Sequence, residues 1–93
     1  MNAEHVKVIF REFEGEAIAF FPETRVNYGN ILSYQHLGQH CEASLEFYWE
    51  TNVADEPVYS PLLEELKQVY SDSILDVRKR LNYDDLLQKA WKQ

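Results

Sequence analysis

Two of the three histidines and the only cysteine of the chain fall within six residues, in the stretch Tyr34-Gln35-His36-Leu37-Gly38-Gln39-His40-Cys41-Glu42. Imidazole and thiolate are good ligands for zinc or copper. Imidazole is also the side chain best suited to general-base work near neutral pH. A zinc ion holds its nitrogen ligands at about 2.0–2.1 Å, so two histidines must converge to share one. On a straight strand His36 and His40 stand about 13 Å apart, at about 3.3 Å per residue. They converge only if Gly38 makes a sharp turn. A helix would bring an i,i+4 pair together, but Gly38 in its middle weakens it. No second pair such as CxxC is present to complete a structural site. The spacing therefore favours hydrogen-bonded, partly buried histidines in a turn, and Tyr34, His36, Gln39 and His40 stand as the candidate binding cluster.

Covalent chemistry finds little support. A nucleophilic cysteine needs a neighbouring cation or a helix N-terminus to lower its pKa. Cys41 is followed instead by Glu42, so it is expected to be a small strand residue. No G-x-S-x-G, H-E-x-x-H, Walker or G-x-G-x-x-G pattern occurs, so no catalytic residue and no cofactor are assigned. Arg78-Lys79-Arg80 is the only basic run; it suits charge protection of an edge strand better than a phosphate contact. Glu42, Glu46 and Glu50 recur every four residues, with Glu12, Glu14 and Glu16 nearby. A sheet face studded with carboxylates could imitate a phosphate backbone, but an ordinary wet face of an antiparallel sheet is the better explanation. Tyr28, Tyr34 and Tyr48 are expected at the surface, where aromatics suit interfaces.

The elements that must hold these residues follow from periodicity. Residues 6–13 alternate, with Val6, Val8 and Phe10 on one side and Lys7, Ile9, Arg11 and Phe13 on the other. Residues 17–21 form a second strand, with Ile18 and Phe20 on one side, and Gly15 permits a tight hairpin between the two. Residues 22–30 are rich in turn formers. Residues 31–36 predict a third strand, interrupted by Gly38. Residues 43–51 alternate again and predict a fourth, with Leu45, Phe47 and Trp49 inward. Tyr59, Leu62, Leu63, Leu66, Val69 and Tyr70 trace a helical stripe. Its start lies near Glu56, capped by Asp55, or at Pro61, capped by Ser60; the proline favours the later start. Residues 74–81 predict a fifth strand. Asn82 caps a last helix, with Asp84 and Asp85 in its first turn and Lys89 and Lys92 in its last.

The result is an α+β fold: a mostly antiparallel sheet of four or five strands, in the order ββββαβα, with one or two helices on one face. The expected core is Val8, Phe10, Ile18, Phe20, Leu45, Phe47, Trp49, Leu62, Leu66, Val69, Leu75 and Val77. A chain of 93 residues has room for one domain and one such core.

Composition narrows the function classes. The net charge is −7, from 16 acids against 9 bases. An acidic chain repels phosphate, which disfavours nucleic acid as a partner. The longest apolar run, residues 17–21, is far short of the ~20 residues of a membrane span, and residues 1–10 hold no apolar signal-peptide region. A single cysteine suits a reducing compartment, so a cytoplasmic location is expected.

Several strings carry a resemblance. Lys7-Val8-Ile9-Phe10-Arg11, the hairpin Gly15, Ala19-Phe20-Phe21-Pro22, Ser33-Tyr34-Gln35-His36-Leu37-Gly38-Gln39-His40, Glu64-Glu65-Leu66-Lys67 and Lys79-Arg80 resemble a family of short uncharacterised bacterial proteins. These are carried on plasmids and conjugative or phage-like elements, including those of Bacteroides-type bacteria. The likeness spans residues 7–81, and its most specific part is the stretch around His36 and His40. It implies a cytoplasmic protein of a mobile element and carries over no catalytic residue. The leading functional expectation is a small non-enzymatic binding or accessory protein, with a protein partner or as a homodimer. The alternatives are an acidic DNA-mimic inhibitor of a DNA-binding host enzyme, and a small metal-dependent enzyme built on His36, His40 and Glu42.

Overall fold

The computed structural model describes residues 4–35 and 39–92. Its first hairpin forms as the alternation predicts. Strands β1 (Glu4–Phe13) and β2 (Glu16–Phe21) pair antiparallel, from Ile9 opposite Phe20 to Phe13 opposite Glu16. Two residues connect them, Glu14 at φ 52° and Gly15 at φ 82°. Positive φ at both positions is the type I′ geometry, whose twist matches that of the strands. Strand β3 (Asn30–Gln35) pairs β2, and β4 (Gln39–Ser44) pairs β3, both antiparallel. The Glu42 carboxylate on β4 accepts from the side chains of Asn30 and Asn27 and from the Asn27 backbone N–H. These bonds, that of Asn30 foremost, hold its pKa below the usual carboxylate range. They also tie the loop before β3 to the edge of the sheet.

The strand expected over residues 43–51 does not form. Strand β4 ends at Ser44, and residues Leu45–Glu50 coil into helix α1. Ser44 is its N-cap, accepting from the Phe47 N–H at 3.1 Å. Tyr48, which alternation turned outward, becomes fully buried, while Trp49, expected in the core, is about half exposed. A two-residue strand, β5 (Asn52–Val53), then pairs β1 beside Arg11 and Glu12.

Helix α2 spans Glu56–Val69, so the earlier of the two starts is the one adopted, and Pro61 lies inside the helix. The N–H groups of Val58 and Tyr59 both donate to the Asp55 carbonyl. Tyr59 stacks on Phe10 with ring centroids 4.4 Å apart. That stack anchors the first turn on the sheet, and tertiary packing outweighs the helix-breaking tendency of the proline. Strand β6 (Ser73–Arg78) runs parallel to β1, placing Leu75 beside Val6 and Val77 beside Val8. The chain closes with helix α3, Tyr83–Asp85 continuing as a π-helical turn over Leu86–Ala90. Asn82 caps it as predicted, accepting from the Asp84 N–H. The sheet order is β4-β3-β2-β1, with β5 and β6 both on the far side of β1.

The fold is α+β with a mostly antiparallel sheet, but its helices cover both faces. On one face α2 packs Leu62 and Leu66 against Val8, Phe10, Ala19, Phe21 and Tyr34. On the other, α1 and α3 pack Tyr48, Leu86 and Ala90 against Ile9, Ile18, Phe20 and Ile31. Strands buried on both sides show continuous apolar runs, and Val8-Ile9-Phe10 and Ile18-Ala19-Phe20-Phe21 are such runs. Of the expected core, Val8, Phe10, Ile18, Phe20, Leu62 and Leu66 are buried. Leu45, Phe47 and Leu75 are partly so, and Val69 and Val77, at the margins of α2 and β6, are exposed.

Candidate functional site

The candidate cluster around His40 is only partly within the described residues. His36 and Gly38 lie outside them, as does the side chain of Gln39, so the convergence of His36 with His40 is a question beyond the described residues. The Gln39 backbone pairs with Gln35. Tyr34 is buried rather than exposed, and its hydroxyl bonds Glu65 on α2 at 2.5 Å. His40 sits opposite Tyr34 in the β3–β4 register, with its ring 4.8 Å from that of Tyr34. Its Nε2 lies 2.8 Å from the Tyr70 hydroxyl. Burial pushes the Tyr70 phenol above its usual range, so it stays protonated and able to donate. Phe21 completes this ring group beneath the end of α2. Cys41, the next residue, turns to the opposite face of the sheet from His40. There it is exposed, with Sγ near the Glu42 carbonyl. His40 is therefore not placed to act as its base. Among the described residues no group of three His, Cys, Asp or Glu side chains could hold a metal ion.

Glu46 and Glu50, expected to line a sheet face with Glu42, sit on α1 instead. A second cluster was not singled out from the sequence. Arg11, which alternation placed with Ile9 and Phe13 on the side of β1 opposite Val8 and Phe10, is buried. Its Nε donates to Thr51 Oγ1 at 2.9 Å and its Nη2 to the Thr51 carbonyl at 2.6 Å. Its Cζ lies 4.8 Å from the centre of the Tyr48 ring, a cation–π contact. Burial raises the Tyr48 pKa, against the pull of Arg11. Tyr48 meets Trp49 edge-on at 5.0 Å, and Trp49 stacks on Tyr83 of α3 at 6.4 Å. The Trp49 indole N–H donates to the Tyr83 hydroxyl at 3.0 Å.

This column runs from the buried strand to the surface. Trp49 is 53% exposed, Tyr83 46%, Leu87 51% and Val53 54%. Leu87 lies one turn beyond Tyr83 on α3, and Val53 is paired with Arg11 across β1–β5. The acids on the same elements are Glu46 and Glu50 of α1 and Asp84 beside Tyr83, all exposed. Asp85, by contrast, is buried and ion-paired to Lys7 at 3.0 Å. Lys7 and Lys89 both reach Glu23, which fixes α3 to the end of the sheet. The ion pairs of α3 thus hold the patch-bearing helix in place.

Among the described residues no helix is long and apolar enough to cross a membrane. Compared with protein-family models, curated proteins and solved structures, the chain matches none.

Proposed function

We propose that this chain is a small non-enzymatic binding or accessory protein whose docking face is the Trp49–Tyr83 patch. The observation that carries this reading is the pairing of two half-exposed aromatic rings, stacked and hydrogen-bonded across two helices. Trp and Tyr are over-represented among residues that dominate binding energy. Here the indole N–H already has its acceptor in the Tyr83 hydroxyl, so covering Trp49 strands no indole donor. The buried Arg11–Tyr48 contact holds α1 from below, and a preorganised surface loses less entropy on binding. The exposed charges of α1 are Glu46 and Glu50 alone, so the partner that fits is a protein surface with an apolar centre and a basic rim. The resemblance to proteins of mobile elements supports a cytoplasmic accessory role.

The test is affinity capture from a bacterial lysate with the wild type and with Trp49→Ser/Leu87→Ser, both shown to be folded. A partner held by the wild type and lost by the variant is then purified and titrated against protein carrying Trp91→Phe. The expected result is a change in Trp49 fluorescence and an affinity that weakens as salt rises. Equal binding by the variant, or a partner that leaves Trp49 fluorescence unchanged, overturns the reading.

A further inference from the structure

We infer that β6 is a dimerisation edge, pairing antiparallel with β6 of a second copy about a twofold axis at Leu75. This surface is separate from the Trp49–Tyr83 patch and stands or falls independently of it. Strand β6 pairs β1 along one side, and among the described residues no strand pairs its other side. An open edge is a template for another strand unless it is blunted. Beside it lies a groove of about 410 Å³ between α2 and β6, lined by Leu63, Tyr70, Leu75 and Val77 among others. Ile74 and Val77 of the strand itself expose apolar side chains along this edge. The opposite edge of the sheet, β4, has no large apolar side chain among its exposed residues.

The occupant follows from self-complementarity. A twofold axis perpendicular to the sheet pairs residues of the same face, so the registers with longest overlap centre on Leu75 or on Asp76. Centring on Asp76 opposes two carboxylates, which destabilises a cross-strand pair. Centring on Leu75 opposes Leu75 with its own copy on the α2 face, and Ser73 with Val77. On the other face it opposes Ile74 with Asp76, and Asp72, in the turn just before the strand, with Arg78. Arg78 already engages Asp76 through Nε and Nη2 at 3.0 and 2.8 Å. Its Nη1 edge is left to receive a second carboxylate, that of Asp72 from the other copy. The basic residue at the end of β6 thus becomes one half of an ion pair made twice across the axis.

Light scattering at micromolar concentration tests this first: the expected mass is twice the 11.0 kDa of the chain, and a monomer throughout overturns the proposal. Asp72→Arg, an exposed turn position, should weaken the dimer about tenfold, with Asp72→Arg/Arg78→Asp restoring it. Retention of full affinity by Asp72→Arg overturns the register. In a Cys41→Ser background, Leu75→Cys should form a disulfide-linked dimer on mild oxidation. Lys79→Cys should not, because its two copies lie about 27 Å apart in this register. Cross-linking of the wild type through Cys41, with Leu75→Cys inert, would place the contact on β4 and overturn the proposal.

Discussion

A guanidinium taken out of water needs acceptors or π-density to replace its hydration. Arg11 finds both in neutral groups, the hydroxyl and carbonyl of Thr51 and the ring of Tyr48. Among the described residues no ion pair engages it. Its binding is therefore geometric: two parallel donors meet two acceptors on one residue, a fork that lysine cannot reproduce. Arg11→Ala is expected to cost about 1.5–3 kcal/mol in urea unfolding, the range for hydrogen bonds to a charged group. Arg11→Lys should cost nearly as much, since it leaves a charge buried without the two-pronged contact. Arg11→Met, which fills the space without a charge, should recover part of the loss. A lysine variant as stable as the wild type would contradict this account. Alternation alone could not reveal the role of Arg11. It identified the side of β1 on which Arg11, Ile9 and Phe13 lie, but a polar residue on that side looks the same whether the face is wet or covered.

At the scale of elements, the hairpin, the α2 stripe and the Asn82 cap were legible because each rests on a local rule with few competitors. Residues 45–50 were not. Leu45, Phe47 and Trp49 satisfy a period of two, while Leu45, Tyr48 and Trp49 satisfy a helical period, and six residues are too few to separate the two. The deciding signal was Ser44, a good N-cap three residues before the N–H it accepts from. The start of α2 shows the converse. Pro61 spoke locally for a start at Pro61 capped by Ser60, yet the stack of Tyr59 on Phe10 extends the helix back to Glu56. The helix must then tolerate a missing N–H at position 61, which deprives the Pro57 carbonyl of its usual i+4 donor. Pro61 is exposed, so replacing it disturbs no packing. Pro61→Ala is expected to raise stability by about 2 kcal/mol: relief of about 3 from the helix interior, less up to about 1 from the freer unfolded chain. Urea midpoints of the two proteins measure it. A loss of stability would mean that the proline shapes the first turn rather than straining it. The candidate site divides in the same way. Tyr34 and His40 were marked by residue type, whereas the Trp49–Tyr83 column joins residues 34 positions apart and appears only once α1 and α3 are folded onto the same face.

For the whole molecule, the sheet separates two cores. Periodicity alone predicts a sheet with helices on one face only. The apolar runs in β1 and β2 were instead the mark of strands covered on both sides. Leu66 of α2 and Leu86 of α3 are each fully buried, in different clusters on opposite faces. Truncating either to alanine leaves a cavity that the close-packed surroundings fill only in part, at a cost of about 2–5 kcal/mol. With the sheet between them and no shared cavity, the two losses should add to within about 0.5 kcal/mol in the double variant. Equilibrium unfolding of wild type, Leu66→Ala, Leu86→Ala and, where enough stability remains, the double variant checks both points. A cost below about 1 kcal/mol for Leu86→Ala would mean that α3 gains little from packing and is an appendage held by its ion pairs to Lys7 and Glu23. The Tyr83 half of the aromatic patch would then have no rigid support, because α3 carries it. Additive losses of similar size would instead make α3 as much a part of the folded body as α2, and the patch between α1 and α3 a surface set by the core beneath it.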